Sequence, residues 1–94
     1  MVAYAMVHID VTDADEYAKY ATLAGPAVAK FGGEFLARGG ACFHMEGEGR
    51  SRNVIVKFKD METAKAFYHS PEYQEALSYG LRSAEREYTF VEGV

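Results

Sequence analysis

The chain has 94 residues, with 10 basic and 14 acidic side chains and a formal net charge of −4. That length leaves no room for two independent cores, so residues 1–94 are expected to form one domain, while 49% apolar and 14% aromatic content argues against disorder. With a net acidic balance and no basic run of about five residues, a surface that tracks phosphates is excluded, and no nucleic-acid partner is expected.

Cys42, the single cysteine, has no internal disulfide partner, and no Cys-x-x-Cys or Cys/His metal box occurs. His8, His44 and His69 match no ligand spacing, so no metal is expected, and no residue stands out as a cofactor ligand, haem included. Met1-Val2-Ala3-Tyr4-Ala5 lacks the basic start and long apolar stretch of an export signal. Nowhere do roughly eighteen apolar residues run together, as a bilayer-spanning helix needs. A cytoplasmic location without a membrane partner is the expectation.

Residues 2–9 read as a first strand, with Tyr4, Met6 and His8 on one face and Ala3, Ala5, Val7 and Ile9 on the other. Thr12-Asp13 offers a helix cap, and Tyr17, Tyr20, Ala21, Ala24, Val28 and Phe31 follow at helical spacing. Gly25-Pro26 predicts a kink or break, because proline lacks a donor and disfavours helix at the preceding residue. Gly32-Gly33 stops the helix. A second strand is predicted over 34–38, with a bulge at Gly39-Gly40, after which Ala41–Glu46 continues it. Cys42 is then a small buried strand residue, and residues 47–51 form a turn. Residues 53–59 are the third strand. Asp60 caps a second helical region, Ser70-Pro71-Glu72 restarts it, and Tyr88–Val91 is the last strand. Arg82 and Arg86 fall near the end of that helical region, where cations suit the dipole.

The order β-α-β-β-α-β predicts an α+β sandwich of the ferredoxin-like kind: a four-stranded antiparallel sheet with helices on one face. No segment remains to cover the second face, which carries apolar residues from every strand. A homodimer with the sheets face to face, a dimeric α/β barrel, is the expectation.

Several residues carry candidate chemistry. Arg38, with Gly39 and Gly40, reads either as a guanidinium aimed into the cleft between sheet and helices, where glycines let a carboxylate or carbonyl ligand approach, or as a bulge whose arginine pairs with Glu34 or Glu46. His8 is either a general base in that cleft, near Asp10 on the same strand face, or a structural histidine. Tyr68 and Tyr73 flank the Ser70 restart and either line a pocket, Tyr68 with a proton to give, or pack as core. Arg82 either serves the helix dipole or closes over the cleft. Ser70 is a cap, since no Gly-x-Ser-x-Gly elbow surrounds any serine.

A set of short motifs resembles one family over nearly the whole chain: Phe31-Gly32-Gly33, Phe35-Leu36-x-Arg38-Gly39-Gly40, Glu46-Gly47, the Arg50/Arg52 pair, Phe67-Tyr68-x-Ser70-Pro71-Glu72-Tyr73, Arg82 and Val91-Glu92-Gly93. Together they are similar to the family called domain of unknown function 1330, in the dimeric α/β-barrel superfamily. That resemblance implies relatives among cofactor-free oxygenases, haem-degrading enzymes, lactone isomerases and stress-response barrels, and supports Arg38 as a ligand contact. Three departures stand out: Lys57 where an acid is frequent, no tryptophan after Glu46-Gly47, and Phe67 where tryptophan is frequent. The implied function is binding of a small organic molecule in the cleft, with cofactor-independent isomerisation or monooxygenase-like chemistry. The alternative is a non-catalytic homodimer that binds a ligand or serves assembly.

Overall fold

Side chains alternate along β1 (Ala3–Val11), so that Ala3, Ala5, Val7 and Ile9 are each at most 3% exposed while Tyr4, Met6, His8 and Asp10 point the other way. A computed structural model describes residues 1–94. After β1 come α1 (Ala14–Lys30), β2 (Glu34–Arg38), β3 (Arg52–Phe58), α2 (Met61–Tyr68), α3 (Pro71–Ser83) and β4 (Ala84–Glu92). The strands lie in the order β2-β3-β1-β4, every pair antiparallel. This is the ferredoxin-like α+β arrangement, with the second helical region divided in two.

The helix boundaries follow from their caps. Asp13 accepts the Glu16 amide at 3.2 Å, and Asp60 accepts the Thr63 amide at 2.7 Å. Ser70 is buried and works twice: its hydroxyl accepts the Tyr73 amide at 3.2 Å and donates to the Phe67 carbonyl at 2.7 Å. The predicted break at Gly25-Pro26 does not occur, and α1 runs through it. Pro26 is exposed, so the carbonyl it leaves unpaired meets water, while Ala24, Ala27 and Val28 around it stay buried. Packing of that stripe outweighs the roughly 3 kcal/mol that an interior proline costs.

All three helices lie on one side of the sheet. Helices α1 and α3 run antiparallel, pinned at one end by Glu16 with Arg82 at 3.0 Å and at the other by Lys30 with Glu72. The core beneath them exploits small residues on the central strand. Phe58 on β3 and Phe90 on β4 flank β1, yet their rings come within 6.2 Å of each other, because Ala3 and Ala5 stand between them. Phe67 stacks on Phe58 at 5.1 Å and on Tyr73 at 4.6 Å, joining α2, α3 and the sheet.

Three strand expectations need correction. Strand β2 ends at Arg38, and residues 39–51 form no strand. Gly39 takes φ +72°, a left-handed conformation that turns the chain out of the ladder after a last bond from its amide to the Asn53 carbonyl. Cys42 is accordingly exposed, and Phe43 and Met45 project into solvent, 85% and 89% exposed. The bulge lies earlier than predicted, at Leu36, between the pairs Phe35–Val56 and Ala37–Ile55. Strand β4 begins at Ala84, so Arg86 belongs to the sheet and not to a helix end.

The second face of the sheet has no helix on it. Tyr4, Met6, Leu36, Ile55 and Val91 occupy one half, with Leu36 51% and Val91 43% exposed, so every strand does contribute an apolar side chain. The other half is polar. There Arg50 reaches Asp10 at 3.0 Å and Glu85 and Glu87 at 3.3 Å, tying the end of the 39–51 segment to β1 and β4. Asp10 also accepts the Ser51 amide and hydroxyl, which hold its carboxyl below the ordinary range.

Loss of the Ser70 hydroxyl leaves the Tyr73 amide without its acceptor inside the core. Ser70→Ala is expected to lower stability by about 1–2 kcal/mol, read as an earlier urea midpoint at unchanged slope.

Candidate functional site

Register decides what enters the cleft between sheet and helices. The extra residue at Leu36 reverses the alternation of β2, so that Arg38 pairs with Val54 and shares its helix-facing side. Without the bulge Arg38 would point to the open face. Arg52 pairs with Ile9, and Ile9 pairs with Arg86, so two arginines stand in one row across β3, β1 and β4, roughly 9–10 Å apart. Above them lies a cavity of about 40 Å³. Its floor is Val7, Ile9 and Val54, and its roof is Tyr20, Ala24 and Val28 from α1. Arg38 and Arg52 are its only charged lining residues, among aliphatic and aromatic side chains.

The five arginines divide cleanly. Arg50 and Arg82 make ion pairs on the outside. Arg38, Arg52 and Arg86 have no carboxylate within reach, although the chain carries 14 acids. Arg38 rests over the Phe35 ring at 4.0 Å, and Arg52 lies 5.7 Å from the Tyr17 ring. Neither donates to any protein acceptor, and Arg52 Nε is buried without a partner, as is Arg86 Nε. Unmatched buried donors cost free energy, and native proteins hold few of them.

Each of these guanidinium groups lies against a glycine. A Cβ at Gly25 would stand 3.2 Å from Arg38 Nη2, and one at Gly80 would stand 2.9 Å from Arg86 Nη1. A Cβ at Gly39 would overlap the Arg52 guanidinium. Gly25 and Gly80 sit inside helices, where glycine is about 1 kcal/mol worse than alanine. Gly80 leaves room for the Tyr20 ring, 2.8 Å from such a Cβ, as well as for the Arg86 head, while at Gly25 the Arg38 head need shift only slightly.

Three tyrosines complete the site. Arg86 Nη2 donates to the Tyr20 hydroxyl at 2.9 Å and the Tyr73 hydroxyl at 3.0 Å, and the two hydroxyls are 3.0 Å apart. Burial pushes the Tyr73 phenol up to about 12, with the neighbouring Tyr88 adding to it. Tyr20 and Tyr88 move upward for the same first reason. The Arg86 cation pulls all three the other way, and burial wins. At neutral pH these phenols are protonated donors.

The residues singled out from sequence do not all meet here. Arg38 and Tyr73 line the cavity, and Gly39 seats Arg52, while a Cβ at Gly40 would meet open space. His8 lies on the open face, apart from Arg38, and its Nδ1 pairs with Asn53 Oδ1 at 2.6 Å. A general base in the cleft is therefore not what His8 supplies. Tyr68 stacks on Tyr73 and Tyr88 behind the lining, at 5.2 and 5.5 Å. Arg82 is on the outer side, paired with Glu16 and lying over Tyr79. The alternative pairing of Arg38 with Glu34 or Glu46 does not form. Arg52, Arg86 and Tyr88 were missed as site residues. Their only sequence signal is parity: each alternates in step with the buried residues of its own strand.

Because a raised phenol pKa favours the folded state below the unfolded value of about 10, that stabilisation is complete at neutral pH and drains away as pH climbs toward 12. Tyrosinate absorbance from Tyr20, Tyr73 and Tyr88 is expected only in that alkaline window, together with loss of the fold. Tyr73→Phe should remove amplitude from this late phase alone.

The fold has solved counterparts. A Rhodopseudomonas palustris protein of unknown function superposes with a TM-score of 0.80 at 16% identity, over 99% of this chain and 82% of the other. A dimeric ferredoxin-like protein of unknown function from Jannaschia sp. CCS1 gives 0.80 at 16%, over 99% and 100%. A Caulobacter crescentus CB15 protein described as a candidate antibiotic biosynthesis monooxygenase gives 0.69 at 12%, over 99% and 90%. No match was found among curated proteins. With residues 2–94 matched by its profile, the chain belongs to the DUF1330 family, a domain of unknown function.

Proposed function

We propose that this protein is a homodimer whose subunits each bind a small organic molecule in the cleft between sheet and helices. One observation carries the reading: a cavity walled by aliphatic and aromatic side chains holds two guanidinium groups, Arg38 and Arg52, that bond to nothing in the protein. Such apolar concavities with a few convergent polar groups are the usual form of ligand sites. At about 40 Å³ the cavity takes roughly three waters, so a ring-sized ligand enters by displacing the rim. Arg38 is suited to move. It is exposed and loses only its stacking on Phe35, worth about 0.5–1 kcal/mol. Arg38 and Arg52 would anchor the ligand, with Tyr73 donating from the wall and Gly39 and Gly40 leaving the mouth open.

Binding without catalysis fits this geometry best, because the cleft holds no histidine or carboxylate to move a proton. A second reading, isomerisation or monooxygenase-like chemistry without a cofactor, draws on the Caulobacter counterpart's description and on the buried phenols as proton donors. Dimerisation through the open face is supported by the apolar half around Ile55 and Met6 and by the dimeric ferredoxin-like counterpart from Jannaschia. The free Cys42 suits a reducing compartment, and we place the protein in the cytoplasm.

The reading is tested by a calorimetric screen of small aromatic and aliphatic compounds. At least one should bind at micromolar to millimolar affinity, and Arg38→Met should weaken it by about tenfold; equal binding by the variant removes Arg38 from the site. In sedimentation at micromolar concentration the chain should run at twice 10.4 kDa, and Ile55→Arg should return it to one.

A further inference from the structure

Resting on the reading of the cleft as a small-molecule site, we propose that its ligand is a planar organic acid bound already ionised, as a conjugated carboxylate, phenolate or enolate, and that the cleft itself removes no proton from it.

Donors and acceptors in the cleft do not balance. Neither Arg38 nor Arg52 donates to a protein acceptor: Arg38 is exposed and meets water, whereas Arg52 keeps a buried Nε with no partner. Tyr20 and Tyr73 share one hydrogen bond while Arg86 donates to both. Whichever phenol donates across that pair, one phenolic hydrogen is left without a protein acceptor, on a cluster that lines the cavity. Against these donors the lining offers no carboxylate, imidazole or amine. A neutral donor ligand would leave the mismatch in place. An oxyanion resolves it, and its charge answers the uncompensated guanidinium groups. Planarity follows from the walls: Phe35, Tyr17, Tyr20 and Tyr88 present rings, and the Arg38 guanidinium carbon sits 4.0 Å over the Phe35 ring. Gly39 leaves room for the Arg52 head, which a Cβ there would overlap, and so lets that guanidinium lie against the cleft.

The absence of a base sets the proton's history. Because the cleft holds the anion more tightly than the neutral acid, the apparent pKa of a weak acid falls on binding, and with no base in the lining its proton goes to solvent. Two probe pairs read this directly. Benzoate should bind at least about tenfold more tightly than its neutral isostere benzamide. The coloured phenolate of 4-nitrophenol should form at lower pH on the protein than free, by about one unit. Arg52→Met should abolish the preference for benzoate while benzamide binding stays. Its melting temperature should hold or rise, since a buried Nε without a partner is removed. Equal affinity for benzoate and benzamide, or a nitrophenol pKa raised on binding, overturns the ionised-acid assignment and leaves the small-molecule cleft standing. If neither benzoate nor benzamide nor 4-nitrophenol binds at millimolar concentration, the cleft reading falls and this one with it. A lowered melting temperature of Arg52→Met with the benzoate preference intact makes Arg52 structural and overturns its place in the site.

Discussion

Three helices on one side of four strands make parity the governing constraint. A residue's step along its strand decides whether it meets the helices or the bare face, and adjacent residues live in different environments. On β1 this separates Ala3, Ala5, Val7 and Ile9, all buried, from His8 and Asp10, which face out. On β4 it carries Arg86, Tyr88 and Phe90 inward and Glu85, Glu87 and Thr89 outward. The bulge at Leu36 is the one place where β2 breaks step. It moves a single charge, that of Arg38, from the bare face to the cleft.

What collects on the covered side is chemically lopsided. The rows through Ala3, Ala5 and Val7 mix small and aliphatic residues with Phe58, Phe90 and Tyr88, and the row beyond them bears Arg52 and Arg86 on either side of Ile9. Cations among aromatic rings gain some quadrupole attraction, yet unmatched buried donors offset much of it. Stability alone does not favour such an arrangement over apolar side chains of similar size. The helix glycines run in the same direction, since alanine at 25 and 80 would strengthen α1 and α3 locally. The cleft is thus a region where the fold gives up stability, while α2, the Phe58–Phe67–Tyr73 stack and the doubly bonded Ser70 supply it nearby.

The bare face shows the opposite economy. Carboxylates there share a partner, with Arg50 serving Asp10, Glu85 and Glu87 at once. His8 is oriented by Asn53, whose own amide donates to the Arg50 carbonyl. That network fastens the return of the 39–51 segment and leaves Phe43 and Met45 outside it. Polar matching at one end and apolar exposure at the other divide this face into a self-contained half and a half that lacks a cover.

Local chemistry was enough for much of this molecule. Alternation in residues 3–9, the Asp13, Asp60 and Ser70 caps, and the proline restart at 71 specify their elements because each depends on neighbours within a few residues. From those elements the antiparallel sheet and its one-sided cover follow. Three things needed the tertiary structure. Helix α1 crosses Pro26 because burial on either side outweighs a missing hydrogen bond. Strand β2 stops at Arg38 because Gly39 turns left-handed and no partner strand continues beside residues 41–46. The meeting of Arg38, Arg52 and Arg86 depends on registers between strands distant in sequence, which no local periodicity encodes, and a one-residue bulge is invisible to composition. His8 stood near Asp10 in the sequence pattern and does so in space, but on the side of the sheet that the cleft does not occupy.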